Sequence, residues 1–160
     1  MRVVGIDPGS YATGFGIVDR EGNKYHRPRF GVVRVKAGTP LADRLALIHD
    51  GILAMLEEEK PEAVAVESPF FARSVQSPLV LGHVRGVVLL AVKRSGAELF
   101  EYAPRQVKSA VVGTGAASKE QIQFMVRRLL AISDDVQADA ADALAVALCH
   151  HHRSRIAVLK

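Results

Sequence analysis

Two short runs constrain this chain more than any others: Gly5-Ile6-Asp7-Pro8-Gly9 near its start and Ala138-Asp139-Ala140-Ala141-Asp142-Ala143 near its end. Asp7 closes an apolar run, Val3 to Ile6, that reads as a buried strand. Asp139 and Asp142 lie three apart in an alanine-rich, otherwise apolar helical stretch, so they share one helix face. A third run, Ala63-Val64-Ala65-Val66-Glu67, is another short apolar segment ending in an acid. If these ends converge, four carboxylates crowd one spot and repel. Bound divalent cations are the usual means of keeping such a cluster ionised.

Each acid alone has a plainer reading. Asp7 before Pro-Gly suits a turn, Glu67 suits a strand end, and Asp139 and Asp142 suit the wet side of an amphipathic helix. Two features favour the joint reading. The alanines around Asp139 and Asp142 argue for tight packing against a sheet. Gly14 and Gly16 alternate on the next strand and leave one face bare for a close ligand or backbone. Together the four acids point to a metal site, and two hard cations about 4 Å apart are a known device for phosphodiester cleavage.

The chain has 160 residues, enough for one domain with a real core. Its 49% hydrophobic and 24% charged residues fit an ordinary soluble globular protein. No apolar run is long enough to span a membrane, the N-terminus lacks a signal-peptide layout, and Cys149 is the single cysteine. These features lead to the expectation of a cytoplasmic protein without an intrachain disulfide or membrane partner. The net charge of +4 is concentrated in residues 68–120, which hold 7 basic and 3 acidic residues. Arg73, Arg85, Lys93, Arg94, Arg105, Lys108 and Lys119 are therefore candidates for a polyanion-facing surface, against the plainer reading of a solvated face.

The first 36 residues read as three strands, Val3–Ile6, Gly14–Val18 and roughly Phe30–Val35, with turn chemistry at Glu21-Gly22-Asn23. Short connections favour antiparallel hairpins. Thr39 is placed to cap a helix with Pro40 at its first position, followed by the stripe Leu41, Leu45, Ile48, Ile52 and Leu56. After the Glu67 strand, a second helix opens at Ser77-Pro78 and runs to about Arg94, and Ala97–Tyr102 reads as a fifth strand. Ser118 and Gln121 have capping-box spacing before the face Ile122, Met125, Val126, Leu129 and Leu130. A last helix is expected from about Ala138 to His152. This order suggests an α/β fold, a five-stranded mixed sheet with helices on both faces.

Three further motifs carry chemistry. Phe70 and Phe71 follow the Glu67 strand in a Pro-flanked loop, where one could stack on an unpaired base instead of entering the core. Gly113-Thr114-Gly115 is a weak match to a phosphate-binding loop, flanked by Lys108 and Lys119. His150-His151-His152 cannot converge on one ion, because successive helix residues diverge by about 100°. They are expected to favour the negative end of the last helix, with Cys149 as a packed thiol. The second helix, Leu79 to Val92, is apolar on more than one face, and Gly82 and Gly86 would let a partner helix approach closely. A two-fold dimer interface there, including Arg85, is the expectation.

The chain resembles the RuvC family of bacterial crossover-junction endodeoxyribonucleases. The residues that carry the resemblance are Gly5-Ile6-Asp7-Pro8-Gly9-Ser10, the Ala-Val-Glu strand ending at Glu67, Leu81-Gly82-His83-Val84-Arg85-Gly86, Tyr102-Ala103-Pro104-Arg105-Gln106-Val107-Lys108, and Gln137 through Ala145. The resemblance implies a ribonuclease H-like fold and a homodimer that resolves four-way junction DNA. It implies paired nicks in two opposed strands of like polarity, using two Mg2+ or Mn2+ ions per active site. Carried over by motif, Asp7, Glu67, Asp139 and Asp142 match the catalytic, metal-binding acids, and Lys108 and Lys119 match functional lysines. Phe70 matches a stacking residue; Phe71, Arg73 and Arg105 are further candidate DNA contacts read from the residues themselves. The RuvA-RuvB branch-migration complex is the implied partner. Two rivals remain: half of a kinase-like ATPase, which would need a second such domain, and a non-catalytic junction-binding module, which would have no reason to keep four acids.

Overall fold

The structure is a computed structural model that describes residues 1–68, 76–133 and 135–158. Strand β1 (Arg2–Asp7) pairs antiparallel with β2 (Ala12–Glu21), and β2 pairs antiparallel with β3 (Lys24–Arg34). On its other side β1 runs parallel to β4 (Ala63–Glu67), which runs parallel to β5 (Glu98–Tyr102). The sheet order is β3-β2-β1-β4-β5. Helices α1 (Leu41–Glu59), α2 (Gln76–Ser95), α3 (Pro104–Val112), α4 (Lys119–Leu130) and α5 (Ala138–Val158) complete the elements.

The strand alternation decides what each face receives. On one face Val4, Ile6, Ile17, Val64 and Val66 pack with Ile48, Ile52 and Leu56 of α1 and Val84, Val88, Ala91 and Val92 of α2. On the other, Val3, Val18, Ala63 and Ala65 pack with α3, α4 and α5. Side chains on a strand switch face at each residue. Odd-numbered positions of β1 and β4 therefore face α5, and Asp7 and Glu67 are both odd.

Helix α5 is buried on nearly every side, from Ala140 through His151, as expected of a helix without a strong polar face. Its alanines let it lie against bare backbone. A Cβ at Gly5 would fall 2.0 Å from the carbonyl oxygen of Ala143, one at Gly14 2.0 Å from that of Asp139, and one at Gly16 2.7 Å from Leu144 Cγ. The bare glycine face expected from Gly14 and Gly16 receives a helix.

Three expectations are corrected. β2 and β3 are longer than their apolar centres, because pairing continues to Glu21 and Lys24 around the turn at Gly22. The polar residues of β3 hide this edge strand from a hydrophobicity reading. Thr39 does not cap α1. Its hydroxyl donates to the Lys36 carbonyl at 2.7 Å and Pro40 takes the cap position. α5 continues six residues past His152, so the histidines do not sit at its negative end. Each is bound elsewhere: His150 Nδ1 to the Tyr102 hydroxyl at 2.9 Å, His151 Nε2 donating to the Val18 carbonyl at 3.0 Å, and His152 Nδ1 donating to the Ala110 carbonyl at 2.7 Å. Burial pushes the His151 pKa down to about 4, so it stays neutral near pH 7. Cys149 is a buried free thiol, as expected.

Candidate active site

The four acids come together by register and by helix seat. Ile6 pairs with Val66 across the parallel strands, so Asp7 and Glu67 follow side by side at their ends. Asp7 pairs with Gly14 on the opposite flank. Gly14 is where the Asp139 backbone touches the sheet, and this contact fixes the first turn of α5 beside Asp7. Asp142 lies one turn further on the same helix face.

The electrostatics record this convergence. Burial raises the Asp7 carboxyl first, and the charges of Glu67, Asp142 and Asp139 raise it further, to about 7. Glu67 is raised above the ordinary carboxylate range by burial and then by Asp142, while Lys108 and Lys119 oppose the shift. Lys119, at the start of α4, places Nζ 2.8 Å from Asp142 Oδ2, and that bond raises its own pKa. Ser118 holds this helix start by accepting from the Gln121 N–H, while the Gln121 side chain accepts from the Ser118 N–H.

Glu67, Asp142, Lys108 and Lys119 line one cavity of about 260 Å³, closed by Pro104, Val107, Ile122 and Ala145. Both lysines expected from the sequence thus meet the acids. Arg105 is exposed on α3 and does not line this cavity. Arg85 pairs with Glu101 of β5 within its own chain. Phe70, Phe71 and Arg73 lie outside the described residues.

The donor chemistry suits hard divalent cations, since every acid offers carboxylate oxygens and no thiolate or imidazole intrudes among them. Among the described residues no three of these side chains already stand as a complete ligand set. What they share is uncompensated negative charge, of which Lys119 offsets only part.

The sequence profile of the family described as crossover junction endodeoxyribonuclease RuvC matches residues 3–150. The chain belongs to the RuvC family. It is 49% identical over 154 residues to the crossover junction endodeoxyribonuclease RuvC of Paramagnetospirillum magneticum, covering 96% of this chain and 93% of that one. It is similar to a solved RuvC of Thermus thermophilus in complex with Holliday junction substrate, with a TM-score of 0.91, 38% identity and coverage of 98% of this chain and 96% of that chain. A solved yeast mitochondrial Holliday junction resolvase, Ydc2, shares the fold, with a TM-score of 0.63 at 16% identity over 99% of this chain and 84% of that chain. The ribonuclease H-like architecture expected of a RuvC chain is therefore the one observed.

Sequence reasoning missed Gly5. Its signal was present, because it has the same strand parity as Asp7 and so faces the alanine helix. Among the described residues no helix is long and apolar enough to cross a membrane.

Proposed function

We propose that Asp7, Glu67, Asp139 and Asp142 form the catalytic centre of a Holliday junction resolvase, an endonuclease that nicks two opposed strands of like polarity and leaves 5′-phosphate and 3′-hydroxyl ends. The supporting observation is the convergence of the four acids at one end of the sheet, where burial first and then the charges of Glu67, Asp142 and Asp139 raise the Asp7 pKa to about 7. An isolated turn aspartate would not be held there. A non-catalytic binding module would gain nothing from this repulsion, since carboxylates repel DNA as well as one another.

The four acids would hold two Mg2+ or Mn2+ ions. When bound, these would activate a water for in-line attack and stabilise the departing 3′ oxygen. Asp7 and Glu67, on adjacent strand ends, provide the rigid part of the ligand set. Asp139 and Asp142 complete it from a helix that the glycines hold in place. Lys119, anchored by Asp142, is positioned to offset charge building on the phosphate oxygens. Lys108 lines the same cavity and is placed to hold a neighbouring phosphate of the DNA. Arg105, exposed in the first turn of α3, meets DNA as well, and Phe70, Phe71 and Arg73 act from the segment after β4. The 160 residues work as one nuclease domain in the cytoplasm, with the RuvA-RuvB branch-migration complex as partner. A nuclease assay on a synthetic four-way junction, with Mg2+ or with EDTA, tests the reading.

A homodimer supplies the second active site for the second strand. Its support lies on α2, where Val84, Val88, Ala91 and Val92 face the core while Leu79, Gly82, His83, Gly86 and Leu90 form a second stripe at helical spacing. Leu79 is 63% and Leu90 48% exposed, and a Cβ at Gly82 or Gly86 would meet nothing within 4 Å. Gly86→Leu is expected to raise the dimer dissociation constant at least about tenfold while leaving the melting temperature unchanged or higher, since leucine favours helix by about 0.5–1 kcal/mol over glycine. Sedimentation of the wild type as monomer alone at micromolar concentration would contradict the interface.

Phe70→Ala is expected to slow cleavage of fully paired junctions about tenfold or more, as base stacking contributes about 1–3 kcal/mol. Junctions already unpaired at the crossover should be affected less. Equal slowing on both substrates would remove Phe70 from strand opening.

A further inference from the structure

Arg44 is a buried cation without an anion among the described residues. It lies one turn into α1 and is 9% exposed, yet its Nε has no hydrogen-bond partner and none of its nitrogens pairs with a carboxylate among the described residues. Its guanidinium carbon lies 4.3 Å from the centre of the Tyr11 ring. Stacking on an aromatic face orients a guanidinium but satisfies none of its five N–H donors. A charge kept in such a place without an acceptor is costly to the fold.

The place matters as much as the charge. Tyr11 lies four residues beyond Asp7, at most about 14 Å along the chain. The loop between them is tied down: the Thr13 hydroxyl donates to the Gly9 carbonyl at 2.9 Å, and Val35 N–H donates to the Tyr11 carbonyl at 2.9 Å. A Cβ at Gly9 would fall 2.2 Å from the Ala12 carbonyl oxygen, so the turn has no slack. Tyr11 is 45% exposed. α1 begins where β3 ends, and Arg34 at that end pairs with Ala12 beside this loop. Arg44 and Tyr11 thus stand at the end of the sheet that carries the acids. The exposed Lys36 follows immediately after β3.

We infer that Arg44, held in line by Tyr11, receives a backbone phosphate of the junction DNA within a nucleotide or two of the scissile phosphate. The inference rests on the junction-binding reading proposed above. A guanidinium offers a planar fork that matches phosphate oxygens, and a DNA strand led to Asp7 brings phosphates past the Asp7–Tyr11 loop at about 7 Å intervals. The acids themselves repel DNA, so a fixed cation close by gives the strand a hold that does not depend on metal.

The test is equilibrium binding of a four-way junction in EDTA across a range of NaCl concentrations. Arg44→Met is expected to weaken binding about tenfold, equally for junctions of different sequence. It should reduce the slope of log K against log salt by about 0.9 per protomer, the signature of one lost phosphate contact. Arg44→Lys should keep most of the slope. Tyr11→Ala removes the side chain of an exposed residue and so leaves the fold intact; it should weaken binding several-fold with the slope preserved. If Arg44→Met fails to fold, the Arg44→Lys and Tyr11→Ala pair decides. Wild-type affinity and slope in Arg44→Met, or wild-type affinity in both of the others, would make Arg44 a packing residue and overturn the inference. Absence of junction binding by the wild type would instead overturn the functional reading on which it rests.

Discussion

Asp7→Asn abolishes cleavage, preserves junction binding and makes the metal-free protein more stable. Cleavage should fall at least about a thousandfold, the scale on which single members of an interdependent catalytic group act. Binding survives because the change removes negative charge and no phosphate contact. The gain in stability follows from where the carboxylate sits. In the fold the Asp7 pKa is raised to about 7 from 3.8 in a free chain, because burial and then the charges of Glu67, Asp142 and Asp139 oppose its ionisation. A carboxyl raised in the folded state binds its proton more tightly there than in the unfolded chain. Its penalty is absent below the unfolded value, grows as pH rises between the two values and is complete above the folded one.

At about 1.4 kcal/mol per unit, Asparagine should therefore stabilise the metal-free protein by about 2–4 kcal/mol near pH 8, with the advantage gone by about pH 4. Urea unfolding of both proteins in EDTA checks this. Mg2+ should then raise the melting temperature of the wild type and leave that of Asp7→Asn nearly unchanged. An asparagine protein that cleaves at the wild-type rate, or that is less stable at pH 8, would remove Asp7 from the crowded centre.

Gly14→Val dislodges the helix that carries two of the four acids. Its Cβ would enter the backbone of Asp139 at 2.0 Å, and no rotation of a side chain relieves a collision with a carbonyl. The first turn of α5 must lift away from β2, and Asp139 moves from Asp7 with it. Overpacking of this kind costs about 3 kcal/mol or more. Activity should fall further than stability alone explains, because catalytic groups tolerate displacements of only about 1 Å. A wild-type melting temperature and rate in Gly14→Val would show that α5 has freedom the packing denies it.

The strands and helices were legible where one side of an element is apolar. The runs before Asp7 and Glu67 and the stripe Ile48, Ile52 and Leu56 announce themselves because a buried face leaves a period in the sequence. β3 was half hidden because an edge strand carries polar residues for protection, so only the apolar run at its end, roughly Phe30 to Val35, stood out. The site was legible as four acids closing or interrupting apolar runs. Their meeting point was not, because it depends on strand parity and on glycines whose role is to lack a side chain. Gly5 shares the strand parity of Asp7, which marks its face, but parity alone does not say which helix lies over that face. The histidines misled for a related reason. Charge and position suggested a helix end, whereas each ring is taken up by a separate partner: Tyr102, Val18 or Ala110. Arg44 was silent for the opposite reason: an arginine in the first turn of an amphipathic helix reads as solvated, and only its burial makes it unusual.

If the acid cluster makes this chain a metal-dependent, junction-selective nuclease, cleavage of a synthetic four-way junction with each strand end-labelled in turn, beside a linear duplex of the same sequence, will show it. Nicks are expected at symmetric positions in two opposed strands of like polarity, in Mg2+ or Mn2+ and not in EDTA, with the linear duplex left intact. Failure to cut the junction in either metal, or equal cutting of the linear duplex, would contradict that assignment.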